Sequence, residues 1–286
     1  MKNMKYRASV ALIWWLAPIG SSQPLATAQG PLVDARPLAE ASLRLQENSG
    51  RIVTYEEPVL TWSGDLEEIP GRSGSKGYLY PKAQAFWMPE PASAPDLAAA
   101  LNKVLDNYHQ QTSGTRFQIL TSKWGYHIVP RQVHDANGAL VASASLLDSR
   151  ITIAQNLRTP EGHLAAFATA VAAVTSTRLE VSAIPFKPRG FDEAFRARPE
   201  RFSWGAEPTT ARDVLIDLLS RSATSFSWRL RCQASLQSDA RFCVLDLAPI
   251  AVAITNGRGQ PDKAVLWFDR CGDCPPLRQV QPPSAR

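Results

Sequence analysis

Four groups of residues along this chain have the chemistry to act on a substrate or to hold an ion. Glu56-Glu57 and Glu67-Glu68 offer adjacent carboxylates, His127 and His134-Asp135 offer imidazoles, and Cys232, Cys243, Cys271 and Cys274 offer thiols. Two carboxylates flanking one bond could serve as the acid and base of glycoside hydrolysis. Adjacent glutamates at a strand end or on a loop are ordinarily solvated, however, and solvation is the expectation for both pairs. His127 falls in a strand-like stretch and His134-Asp135-Ala136-Asn137-Gly138 reads as a turn, which gives neither imidazole an evident metal-ligating role. Cys271-Gly-Asp-Cys274 could be half of a zinc site, but Cys232 and Cys243 lack the spacing of the other half. A redox-active CxxC normally opens a helix after a strand, whereas Pro275 and Pro276 follow this one. No Gly-rich phosphate loop, HExxH or GxSxG is present. No catalytic residue, cofactor or metal ligand is assigned, and the chain is expected to be non-enzymatic.

The thiols take their meaning from where the chain goes. At the N-terminus Lys2, Lys5 and Arg7 precede an apolar run from Ala8 to Ile19, and Ala26-Thr27-Ala28 supplies a small-x-small site. That order is expected of a signal peptide over residues 1–28, with the mature chain starting at Gln29 in the periplasm or outside the cell. The apolar run is shorter than the roughly 20 residues of a membrane span, and no later run is long enough. The leader carries three of the 31 basic residues and none of the 26 acidic ones, so most of the net charge of +5 leaves with it. No basic run with interleaved aromatics suggests nucleic acid as a partner. An oxidising destination favours disulfides over free thiols.

The elements that position these groups are clearest near the C-terminus. In "PTTARDVLIDLLSRSATSFSWRLRCQ", Ala211, Val214, Leu215, Leu218 and Leu219 form one helical stripe. Thr210 and Asp213 have the form of a capping box at its start. Phe226, Trp228, Leu230 and Cys232 then alternate with Ser227, Arg229 and Arg231, and Cys243, Leu245 and Leu247 follow the same period of two in "RFCVLDL". Pairing Trp228 with Leu247 and Leu230 with Leu245 brings Cys232 opposite Cys243, within reach of a disulfide. Cys271 and Cys274 remain as a second, local pair.

The helix-then-strand unit recurs. Leu97, Leu101, Val104, Leu105 and Tyr108 form a stripe ahead of a hairpin containing Phe117, Ile119, Tyr126 and Ile128. Leu164, Phe167, Ala168, Val171 and Val174 form another between Ile151–Ile153 and Leu179–Ser182. Leu38, Ala41, Ser42 and Leu45 form the first, with Gly50 as C-cap and Ile52–Tyr55 as strand. Irregular spacing of the helices excludes a solenoid. The expectation is an α+β protein of several small modules, each a helix on a short antiparallel sheet or hairpin. The modules span residues 31–90, 91–140, 145–204 and 205–274, followed by a Pro-rich tail at 275–286.

The segment Pro37 to Leu60, "PLAEASLRLQENSGRIVTYEEPVL", resembles the short N-terminal (STN) domain of secretins and TonB-dependent receptors. The shared pattern is Pro-Leu-x-x-Ala, leucines at helical spacing, Ser/Thr-Gly and an apolar strand. Ala211 to Leu247 is similar to that domain and to related periplasmic modules of secretins, departing at Ser222-Ala223-Thr224, where the usual glycine is absent. The resemblance implies a periplasmic binding or assembly module, with another envelope protein or peptide as partner.

The stretch from Leu60 to Pro91 is rich in Gly, Pro and Ser and carries Trp62, Tyr78, Tyr80, Phe86 and Trp87. Such aromatics can form a recognition surface for peptide, glycan or partner, or can plug a long loop into its own core. The plug is the expectation for at least one of them. The functional expectation is protein–protein binding or assembly in the envelope. The alternative is an exported hydrolase or carbohydrate-binding protein that uses the aromatic loop.

Overall fold

Helix α1 begins where proline is tolerated and ends where glycine is needed. Pro37 occupies its first turn, where a missing N–H costs nothing, and Gly50 closes it at φ 65° with its N–H on the Gln46 carbonyl. The helix spans Pro37–Ser49. Asp96 caps α2, Leu97–Gln111, by accepting from the Ala98 N–H, and Thr159 caps α3, Pro160–Thr175, by accepting from the Gly162 N–H. Helix α4, Ala211–Leu219, starts at the expected Thr210, whose hydroxyl accepts from the Asp213 N–H and donates to its carboxylate. The computed structural model describes residues 31–70, 78–88, 96–183, 201–222, 224–233, 241–255 and 261–265. No helix among them is long and apolar enough to cross a membrane.

Strands β12, Phe226–Gln233, and β13, Arg241–Pro249, pair antiparallel with Trp228 opposite Leu247, Leu230 opposite Leu245 and Cys232 opposite Cys243. The expected register therefore holds, and the two cysteines are joined in a disulfide. Cys271 and Cys274 lie outside the described residues. Strand β10, Thr177–Ala183, adds parallel to β13. On the other side β12 runs parallel to β2, Val53–Glu56, which runs parallel to β7, Tyr126–His134. Strand β6, Arg116–Thr121, closes that end antiparallel to β7, with Ile119 opposite Ile128 as the hairpin reading requires. The order β10-β13-β12-β2-β7-β6, with β8, Leu140–Ala142, on the far part of β7, makes one mixed seven-stranded sheet.

Four two-stranded antiparallel sheets accompany it among the described residues. They join β1, Leu32–Asp34, to β5, Gln84–Phe86, and β3, Leu66–Ile69, to β4, Tyr78–Pro81. They also join β9, Arg150–Arg158, to β11, Phe202–Thr210, and β14, Ala251–Thr255, to β15, Pro261–Val265. The fold is α+β, with small antiparallel sheets and four α-helices among the described residues. Each helix leads into a strand of the large sheet, and the strands from all four sequence segments lie side by side there.

The sheet is covered on both faces, by different helices. Tyr55 and Glu56 are successive in β2 and point to opposite sides. Tyr55 belongs to a cluster with Leu38 and Leu45 of α1, Leu101 and Tyr108 of α2, and Phe117 and Ile128. Glu56 instead meets Arg212 of α4. On that second side Phe167 and Val171 of α3 and Leu215, Leu218 and Leu219 of α4 pack on Phe226, Trp228, Leu230, Leu245 and Leu247. Burial of each large apolar side chain contributes about 1.5–3 kcal/mol. The two faces thus carry two separate cores, and β2 stands where they meet.

Candidate functional site

The carboxylates at the end of β2 are where the structure departs most from expectation. Glu56 is 0% exposed and Glu57 4% exposed, so the pair read as solvated is buried. The reason is long-range charge pairing. Glu56 accepts from Arg212 Nε at 2.9 Å and Arg212 Nη2 at 2.7 Å, from Trp228 Nε1 at 3.3 Å, and from the Ser145 hydroxyl. Arg212 also donates Nη1 to Asp148 at 2.6 Å. Burial works against the charge on Arg212, yet its hydrogen bonds to Glu56 and the attraction of Glu56 and Asp148 push its pKa well above the ordinary arginine value.

Glu57 takes the other side. Both of its oxygens lie 3.0 Å from Arg36 Nε, and one accepts the Cys232 N–H at 2.9 Å. Burial raises its pKa, with Arg36 and the Cys232 N–H pulling the other way. Glu57 also lines a cavity of about 370 Å³ with Ser145, Val174, Thr177, Cys232 and Arg241. A carboxyl with a raised pKa beside a cavity suits a general acid, but acid–base glycoside hydrolysis needs a second carboxylate free to act. Glu56 has about four lone-pair positions and four donors on them, so it has nothing left to offer a substrate. Glu67 and Glu68 are exposed on β3, as expected.

The imidazoles are structural. His127 is buried in β7, with Nδ1 2.9 Å from Thr54 Oγ1 and Nε2 2.7 Å from Ser122 Oγ, and its ring stacks on Trp228. Burial and then the nearby Arg212 charge lower its pKa to about 4. His134 ends β7 with Nδ1 2.8 Å from Asp65. The residues after it form the expected turn, in which the Asp135 carboxylate accepts from the Asn137 and Ala139 N–H groups. Among the described residues no three His, Cys, Asp or Glu side chains gather as metal ligands.

The five aromatics do not share one environment. Trp62 packs 4.5 Å from the His134 ring and over Gly138, which sits at φ 82° and whose Cβ position would fall 2.9 Å from the indole. Tyr78 contributes its backbone to β4, paired with Ile69. The Tyr80 ring lies under the Arg36 guanidinium at 4.8 Å. Phe86 is 0% exposed in the α1/α2 core against Tyr108, which takes it out of any recognition surface. Trp87 is 56% exposed. Its main chain is nevertheless held, because its N–H donates to Gln111 Oε1 at 2.8 Å and its carbonyl accepts from Asn107 and Gln111 of α2.

Sequence reasoning missed Arg36, Arg212 and Ser145, whose positions beside Pro37, in a helix's first turn and in a loop carry no local mark of burial. One signal was available for Arg212. It precedes Asp213 in a first turn, where a cation opposes the helix dipole unless an acid elsewhere compensates it. Comparison with protein-family models, with curated proteins and with solved structures finds no match.

Proposed function

We propose that this is an exported, non-enzymatic envelope protein that works by binding another protein or peptide, with Trp87 at the centre of its contact face. The observation that carries the reading is an exposed indole on a clamped backbone. Val33 pairs with Ala85 in the β1–β5 ribbon, and Trp87 follows Ala85 by two residues, which puts the three on one outward side. Val33 is exposed as well. Tryptophan dominates binding hot spots, and fixing its main chain beforehand lowers the entropy cost of engagement. The signal-like leader and the STN-like segment Pro37 to Leu60 support an envelope address. Saturation of Glu56 by four donors argues against a hydrolase built on the Glu pair.

Crosslinking pull-downs from the native envelope, run in parallel with wild type and Trp87→Ala, test the contact face. The expected result is a partner band lost in Trp87→Ala while the melting temperature stays nearly constant, since surface changes move stability by about 0.5 kcal/mol. Phe86→Ala should instead cost roughly 3–5 kcal/mol, as for a large aromatic removed from a core. Equal capture by wild type and Trp87→Ala, or a stability loss at Trp87 as large as at Phe86, refutes the reading. Mass spectrometry of the exported form should give a mature terminus at Gln29, and an intact Met1 would defeat the address.

A further inference from the structure

A second cavity, of about 300 Å³, opens where the start of α1 meets the polar side of β12 and β13, and its wall includes Arg36, Arg229 and Arg231. The two strand arginines are there by alternation, because Trp228, Leu230 and Cys232 take the apolar side and send residues 229 and 231 the other way. Asp246 stands opposite Arg229 and is ion-paired with Arg231. Arg36, 7% exposed, reaches in from the residue ahead of α1, with Nε on Glu57 and its plane over Tyr80. Its Nη2 is buried and has no hydrogen-bond acceptor among the described residues. A buried charged donor left unpaired is costly and calls for an acceptor.

Charge pairing narrows the kind of acceptor. The wall sets Arg36, Arg229 and Arg231 against Asp34, Glu40 and Asp246, with Arg36 paired to Glu57 behind it and Arg231 to Asp246. Glu40 is engaged by Arg44 toward solvent, and Asp34, at the exposed rim, accepts the Arg36 backbone N–H. No side chain caps α1, so the positive end of its dipole adds to the same field.

We propose that this cavity binds a carboxylate group, held between Arg229 and Nη2 of Arg36. The planar pair of oxygens matches the guanidinium fork and gives Nη2 of Arg36 the acceptor it lacks. A phosphate dianion would bring a second charge toward Asp34, Glu40 and Asp246. The carboxylate can belong to a small free acid or to the end of a peptide. The site does not depend on the reading of the Trp87 face.

The test is an NMR titration of the full chain, reading arginine Nε–Hε signals at constant ionic strength against sodium chloride. Sodium acetate should shift the Arg36 and Arg229 signals together and saturably, and sodium phosphate should bind at least tenfold more weakly. Arg229→Gln should abolish the saturable shift of Arg36. Among carboxylate sources, N-acetyl-trialanine binding tenfold tighter than both acetate and its own amide points to a peptide end, and parity with acetate points to a free acid. The proposal is overturned if chloride alone gives the same shifts, if phosphate binds more tightly than acetate, or if folded Arg229→Gln responds as wild type does. The wild-type titration needs no variant and decides the matter if Arg229→Gln fails to fold.

Discussion

Replacing Arg212 with methionine keeps most of the stem volume and removes every donor that holds Glu56 to α4. Arg212 makes two bonds to Glu56 and one to Asp148. After the change Glu56 keeps Trp228 and Ser145 but has no positive partner, at a position with no solvent contact. Removing one member of a buried ion pair costs about 3–5 kcal/mol, because the remaining charge stays desolvated. For a protein of this size that lowers the melting temperature by on the order of 10 °C. Urea unfolding with Arg212→Met, Glu56→Gln and the double variant closes a cycle. The double variant should recover part of the loss, since the unpaired charge is then gone. A loss below about 1 kcal/mol in Arg212→Met, or double-variant losses that simply add, would refute the view that Glu56 and Arg212 are joined in a buried pair.

Two further outcomes follow from the same geometry. His127 is neutral in the folded protein because burial and Arg212 hold its pKa at about 4, while the unfolded chain takes up a proton near pH 6.5. Its contribution to stability is therefore full above that pH and is lost as pH falls toward 4, by on the order of 3 kcal/mol. The wild-type minus His127→Gln difference in stability should shrink over this window, and a difference flat with pH would contradict it. Non-reducing peptide mapping should recover Cys232 linked to Cys243, and Cys232→Ala/Cys243→Ala should lose about 2–4 kcal/mol. Recovery of a Cys232–Cys271 link would break the register.

What could be read in the sequence was local and periodic. The capped start of α4 and the register of β12 on β13 follow from one hydroxyl, one alternation and two cysteines, all within 40 positions of one another. What could not be read was either irregular or distant. Strand β11 contains Gly205 and Pro208 and shifts register twice against β9, so its alternation is broken. The parallel pairings of β2 with β12 and β7 join segments far apart in the chain and leave no local pattern. The burial of Glu56 depends on an arginine 156 positions away. Phe86 and Trp87 are neighbours of similar character with opposite fates, decided by which side of β5 faces α2.

The place of β2 in the sheet has a consequence for how the chain can fold. It belongs to the first segment, yet its neighbours come from the second segment and from the last. Until β12 has been made and delivered, β2 has an open edge, and Glu56 has no arginine to answer it. Closing this contact over such a separation is slow compared with forming any of the hairpins. A chain cut anywhere between β7 and β12 would present that edge to other molecules, with the aggregation risk that unpaired strands carry.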